Sequence, residues 1–307
     1  MSLRRGCLRP LRLLPSYREK IWGTAALEPW FPRAARNIGE VWFTFDENRT
    51  EDGARLADLI REFGPSLLGS ACASGRCPIL VKFLFTSARL SIQVHPNDVQ
   101  ASMWEGVAAR GKSEMWHVLR AGPGAEVALG FREPLTRERL REAARTGEIE
   151  KLILWFPVQT GDTFLTPAGT VHAIGTGLVL CEIQQNSDIT YRLYDWGRAR
   201  ELHIERAVEV ALLDPHQGPS EPRQIAHGNE MLASCEHFAT ELLELETATE
   251  YRPDPERMHV LIAIEGTGTL DERRFAAGEV WLVPASASPF AIVPEAKVRM
   301  LRTYVPG

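Results

Sequence analysis

Short apolar runs bounded by glycine, proline and polar residues recur along the chain, and they predict strands. Ile38–Phe43 (IGEVWF) alternates, with Val41 and Trp42 on opposite faces and Trp42 read as core. Pro78–Phe85 (PILVKFLF) is apolar except for Lys82, which inside such a strand needs a carboxylate partner or a route for its amine to solvent. In Leu90–Asp98 (LSIQVHPND) Leu90, Ile92 and Val94 share one face, Ser91, Gln93 and His95 the other, and Pro96 ends the strand. Helical spacing is confined to a few stretches. Gly53–Gly64 places Leu56, Leu59, Ile60 and Phe63 on one face between two glycines. Asn97 or Asp98 caps a short helix through Trp104, Thr136 caps the charged stretch Arg137–Arg145, and Leu202–Leu213 is amphipathic. Asp214–Gln224 (DPHQGPSEPRQ) reads as a linker. Strands resume after about residue 226, in VLIAIEGTGTL from Val260 and RRFAAGEVWLVPAS from Arg273.

The chemistry gathers around Gly161–Trp196. Gly161-Asp162 turns into a strand, Pro167 and Gly169 break the ladder, and His172 starts the next strand pointing inward. A lone histidine is usually structural, but this one has partners upstream in Gln93 and His95, and in Glu114 at the head of another apolar run. Two imidazoles, one carboxylate and one amide oxygen suit Zn²⁺ with room for water or substrate; Fe²⁺ or Mn²⁺ also fits two histidines and a carboxylate. The spacing resembles the split histidine motifs of the cupins, small antiparallel β-barrels that hold a metal. The expected fold is therefore mainly β: two cupin (jelly-roll-like) β-barrel domains with a few short helices. Residues 1–225 form the catalytic, metal-binding unit and 226–307 a second barrel without metal, since VPAS (Val283–Ser286) keeps the turn but no histidine follows. His259 lies there in an apolar strand without an evident partner.

Length and charge bound the rest. A chain of 307 residues holds about two domains, and a net charge of -5 leaves no nucleic-acid footprint. Arginines and prolines interrupt every apolar run of the N-terminal segment, so it predicts neither a signal peptide nor a membrane span. Five cysteines without CxxC spacing read as free thiols in a reducing compartment, with a Cys72–Cys77 bridge as the alternative; a cytoplasmic protein is expected.

QVHP, GKSEMW, PAGTVHAIG and EIQQNSDITYRLYDWGR, in this order, resemble the type I phosphomannose isomerases (mannose-6-phosphate isomerases), in their short bacterial form. The resemblance implies a zinc-dependent aldose-ketose isomerase that interconverts mannose 6-phosphate and fructose 6-phosphate through an enediol(ate), with one ion per chain. It implies Gln93, His95, Glu114 and His172 around the metal. It further implies Ser91 and Lys112 toward the substrate and Arg192 as the catalytic residue; Glu182, which alternates with Gln184 onto one strand face, is expected to point into the barrel toward the substrate. Of these, Lys112 is expected at the phosphate and Arg192 at the enediolate. The base stays open between a metal-bound water, Glu182 and Asp195; Arg192 has a plainer alternative, an ion pair with Asp188 or Asp195. Two other readings of the same motifs are a cupin Fe²⁺ oxygenase and a non-catalytic sugar-binding cupin. The phosphate-binding charge of Lys112 and Arg192 argues against the first, and retention of the whole ligand set against the second.

Overall fold

The computed structural model describes residues 8–70, 75–225 and 229–306; Cys7 and Cys72, and with Cys72 the alternative bridge to Cys77, lie outside them. Cys181 and Cys235 are free thiols. Among the described residues the strands form four antiparallel sheets of seven, six, five and four strands, joined by six short helices. The predicted mainly β architecture is present, and no helix is long and apolar enough to cross a membrane.

Two sheets sandwich the site. The six-stranded sheet runs Ser16–Thr24, Ile38–Phe43, Ile79–Phe85, Leu178–Gln185, Glu114–Ala121, Thr163–Thr166. The five-stranded sheet runs Tyr191–Tyr194, Ile92–Val94, His172–Ile174, Glu126–Phe131, Ile153–Pro157. Leu84, Trp116, Val118, Phe164 and Leu180 of the first pack against Val127, Leu129 and Ile174 of the second, so the inner faces share one core. The outer face of the five-stranded sheet is covered by the helices Arg137–Thr146 and Ile204–Val210. The seven- and four-stranded sheets build a second sandwich around Leu261, Trp281, Met300, Phe275 and Phe290. Its seven-stranded sheet backs onto the six-stranded one, with Val81, Phe83 and Ile183 meeting Val260, Ile262 and Leu282. Ile79–Phe85 is thus buried on both faces, which explains its unbroken apolar run. One strand crosses over: Leu11–Leu13 pairs with Val280–Leu282.

Several elements differ from expectation for readable reasons. The helix Leu56–Phe63 buries Leu56, Leu59, Ile60 and Phe63 as the spacing predicts. The helix expected over Leu202–Leu213 is shorter, Ile204–Val210, because the Leu212 amide donates to the Gly169 carbonyl at 2.8 Å rather than to a helical one. Trp22 is core, but Trp42 is only half-buried: its indole donates to Glu40 Oε2 at 2.7 Å, and the Lys82 ammonium lies 4.8 Å from its ring centre. His259 has a partner after all, the Tyr251 hydroxyl at 2.6 Å.

Burial, followed by nearby Arg302, pushes the His259 pKa down to about 4; burial and Arg299 do the same to His117. Below the unfolded value near 6.5 the unfolded chain takes up protons that the folded chain refuses until about pH 4. These histidines therefore oppose folding increasingly as pH falls from about 6.5 to about 4, each by up to about 1.4 kcal/mol per pH unit. Urea unfolding between pH 7 and 4.5 should show a pH slope about one proton smaller in His259→Gln than in the unsubstituted protein. Equal slopes would show that His259 does not titrate as its burial requires.

Candidate active site

Both sheets contribute to one buried cluster. His95 follows directly on Ile92–Val94, and His172 opens His172–Ile174 on the neighbouring strand, in register with Gln93. Glu114 opens Glu114–Ala121 on the facing sheet, opposite Gln184. All three chain segments are fixed locally. Asn97 forms the capping box of the helix Asp98–Glu105, accepting from the Gln100 amide at 2.9 Å while Gln100 Oε1 accepts from the Asn97 amide at 3.0 Å. That leaves Asp98 to accept from the Gly111 amide at 2.7 Å and from Gln185 Nε2 at 3.0 Å. The interrupting loop is thereby tied to the sheet just before Lys112 and Glu114. Gly111 admits no side chain, since a Cβ there would stand 2.6 Å from the Asn97 carbonyl carbon. At the other motif the Gly169 amide donates to the His95 carbonyl at 2.8 Å, which joins the PAG turn to the first histidine.

The ligating atoms of His95, Glu114 and His172 lie within 4.8 Å of one another, and all three residues are buried. Among the described residues they are the group of three or more His, Cys, Asp or Glu side chains so arranged. Glu114 Oε2 is 3.5 Å from His95 Nε2, and Oε1 is 3.3 Å from His172 Nε2. An ion about 2.0–2.1 Å from each of two tetrahedral donors holds those donors about 3.3 Å apart, so the spacing fits one. The tautomers fit as well. His95 Nδ1 donates to the Ile189 carbonyl at 2.7 Å and His172 Nδ1 to that of Thr170 at 2.9 Å, which turns both Nε2 lone pairs toward Glu114. Burial, and then Lys112, holds His95 well below the ordinary imidazole range; burial lowers His172 to about 4, so both rings are neutral at pH 7 and free to accept a metal. Burial pushes Glu114 up to about 7 against the opposing pull of Lys112. Gln93 Nε2 sits 3.2 Å from His172 Nε2, and its Oε1 accepts from the Ser91 hydroxyl at 2.9 Å; a half-turn of the amide directs Oε1 to the cluster.

A polar cavity of about 220 Å³ lies over this cluster. Its wall includes five expected residues, Ser91, Gln93, Lys112, Glu182 and Arg192, so the structure brings them to one place with the buried His95, Glu114 and His172 beneath. Lys112 Nζ reaches Glu114 Oε2 at 2.5 Å and His95 Nε2 at 3.1 Å, closing the cavity floor. Lys82 finds its carboxylate across the strands: Nζ is 3.0 Å from Glu182 Oε2, while Glu182 Oε1 accepts from the Trp116 indole at 3.1 Å. Burial opposes the Glu182 charge, but Lys82 and Lys112 overcome it and bring its pKa to about 2.

Asp195, a candidate base by sequence, is not placed to act as one. Its buried carboxylate takes Arg198 Nη2 at 2.5 Å and Arg200 Nε and Nη2 at 2.6 Å each. Arg192 pairs with neither Asp188 nor Asp195; its Nη1 donates to the Glu201 carbonyl at 2.8 Å. Lys20, Thr190 and Arg200 also line the cavity and were missed. The basic run Gly197–Arg200 (GRAR) next to Arg192 was the available signal for Arg200. Nothing in the local pattern points to Lys20, whose ammonium meets Glu40 at 3.0 Å, or to Thr190.

No protein-family model matches the chain. Mannose-6-phosphate isomerase ManA of Bacillus subtilis is 31% identical over 92% of this chain and 95% of its own. The mannose-6-phosphate isomerase of Streptococcus mutans is 37% identical over 66% of this chain and 67% of its own. The solved mannose 6-phosphate isomerase of Bacillus subtilis superposes with a TM-score of 0.86, at 26% identity, covering 96% of this chain and 99% of that one. A variant of the phosphomannose isomerase from Salmonella typhimurium shares the fold at a TM-score of 0.81 and 18% identity, over 98% of this chain and 100% of that one.

Proposed function

Because this chain belongs to the mannose-6-phosphate isomerase family, we propose that it interconverts mannose 6-phosphate and fructose 6-phosphate through an enediol(ate). The observation that carries the reading is one polar cavity that has neutral His95 and His172 with Glu114 beneath it and Arg192 and Arg200 in its wall. We assign one Zn²⁺ to His95, Glu114 and His172, with Gln93 completing the set after its amide turns; the donor types and their spacing suit that ion. Bound there, it supplies Lewis acidity to the sugar oxygens at C1 and C2.

The remaining roles follow from what each side chain touches. From the sequence Lys112 was assigned to the phosphate and Arg192 to the reacting end; we reverse the two. Lys112 contacts Glu114 and His95, so its ammonium is placed beside the reacting oxygens, where it stabilises negative charge as the proton moves between C2 and C1. The charged neighbours of Arg192 are Arg200, Asp195, Arg198 and Glu201, none of them in the metal cluster, so it serves the phosphate. Glu182 stays ionised against Lys82 and provides a fixed acceptor for sugar hydroxyls, and the Ser91 hydroxyl faces the same space. Two histidines and a carboxylate alone would also suit an iron oxygenase. The arginines of the wall give such an enzyme nothing to do and a sugar phosphate a place to bind. We read the chain as dividing at about residue 225, with the second, metal-free barrel bracing the first, and as working in the cytoplasm.

The test is to couple fructose 6-phosphate formation from mannose 6-phosphate to a dye in the zinc-loaded protein. Rapid colour development supports the reading, and its absence with intact metal content refutes it. In the same assay Lys112→Ala should fall mainly in kcat, by about 10²-fold or more, as for loss of an oxyanion donor. Arg192→Ala should act mainly by raising KM. The opposite pattern would restore the assignment made from sequence.

A further inference from the structure

The lysines and arginines of the cavity are balanced differently. Lys20 meets Glu40 at 3.0 Å, Lys82 meets Glu182 at 3.0 Å with Asp188 at 4.0 Å, and Lys112 meets Glu114 at 2.5 Å, so every ammonium has a carboxylate. By contrast, Arg198 and Arg200 share the single carboxylate of Asp195, and Arg192 has only the Glu201 carbonyl. The three guanidiniums have one carboxylate in direct contact, Asp195, so this part of the wall suits an anion such as a phosphate monoester, which carries about −1.5 to −2 at pH 7. Arg198 and Arg200 both grip Asp195, but only Arg200 also lines the cavity. Asp195 holds the Nε and Nη2 edge of Arg200, and among the described residues Arg200 Nη1 donates no hydrogen bond. Arg192 Nε is buried and likewise has no partner among them. Burial and then Arg200 lower the Arg192 pKa against the opposing pull of Asp195 and Glu201.

Resting on the isomerase reading above, we propose that Arg200 is a specificity-determining residue: with Arg192 it clasps the phosphoryl group of the substrate, and Asp195 is the positioning residue that aims its guanidinium. Two forks converging on one phosphate give geometric selection that a lysine end cannot. The site thereby favours phosphorylated over free sugars, independently of the metal end.

The experiment uses the metal-loaded, full-length protein and two readouts. One is the ratio of kcat/KM for mannose 6-phosphate to that for free mannose. The other is the affinity for inorganic phosphate, by calorimetry. Arg200→Gln should lower the ratio by about 10- to 100-fold, chiefly through KM for the phosphorylated sugar, as for loss of a charge-assisted pair. Phosphate affinity should fall by a similar factor, with metal content intact. Arg200→Lys, which keeps the charge and loses the fork, should recover part of both. A proportional loss on both sugars with unchanged phosphate affinity would overturn the proposal, because Arg200 would then merely brace the Asp195 turn. Should Arg200→Gln fail to fold, Arg200→Lys decides alone: phosphate affinity weakened severalfold supports the clasp, and unchanged affinity overturns it. Should the unsubstituted protein not isomerise mannose 6-phosphate at all, the isomerase reading fails. The phosphate affinities of the two variants then still support or overturn the clasp.

Discussion

His172→Ala should leave the protein without bound metal and lower kcat/KM for mannose 6-phosphate by at least about 10³-fold, since the whole Lewis-acid contribution of several kcal/mol is lost with the ion. His172 lies across from Glu114 at 3.3 Å and is held by its Nδ1 bond to Thr170, and the neighbouring strands Ile92–Val94 and Glu126–Phe131 carry no imidazole. Glu114→Gln, nearly the same size, should lose the metal as well, which separates ligand loss from the cavity an alanine leaves. Elemental analysis after dialysis, beside a thermal melt, reads both. Metal bound at the unsubstituted level in either variant would show that the ion sits elsewhere.

The second large effect is on stability. Glu182→Gln leaves the Lys82 ammonium buried without a direct partner: Asp188 is 4.0 Å away and largely in solvent, and the nearby Glu40 is already engaged by Lys20. Stranding one charge of a buried pair costs about 3–5 kcal/mol, equivalent to a fall of about 5–8 °C in melting temperature for a chain of this length. The pH dependence has the same sign. A carboxylate lowered from 4.5 to about 2 contributes about 3 kcal/mol. That contribution is complete above about pH 4.5 and disappears as pH falls through the folded value. The double variant Lys82→Met/Glu182→Leu should regain most of the lost stability, because no charge is left unpaired, yet it should stay impaired as an isomerase. A single variant that melts with the unsubstituted protein would mean that Lys82 is solvated in a way its burial does not allow.

Much of this site was legible because its residues lie on local patterns. The period of two put Gln93 and His95 on one face, and the Pro-Ala-Gly turn announced His172; both are where the pattern places them. The capping signal at Asn97 and the buried face of Leu56–Phe63 were equally local. What the sequence hid are contacts between distant segments. Lys82 needed a carboxylate, but that it is Glu182 depends on the register of Ile79–Phe85 against Leu178–Gln185, a hundred residues away. Arg200 has no periodic signature, since a turn rather than a strand carries it back to Asp195 and the cavity. The same turn removes Asp195 from the list of bases. Lys112 was placed beside the ligand motif, but its contact with Glu114, on which the reversed assignment proposed above rests, was hidden, because chain position cannot say which way a long side chain reaches. Leu11–Leu13 gave no hint that it completes a sheet built almost wholly from residues beyond 223.

The metal-dependent site is tested most directly by titration. Protein stripped by a chelator is given Zn²⁺ in steps, and the rate of mannose 6-phosphate conversion is followed at each step. The rate should start near zero, rise in proportion to added ion and level off at one per chain, with no rise in His172→Ala. Full activity in the stripped protein, or a plateau at two ions per chain, would contradict a single centre at His95, Glu114 and His172.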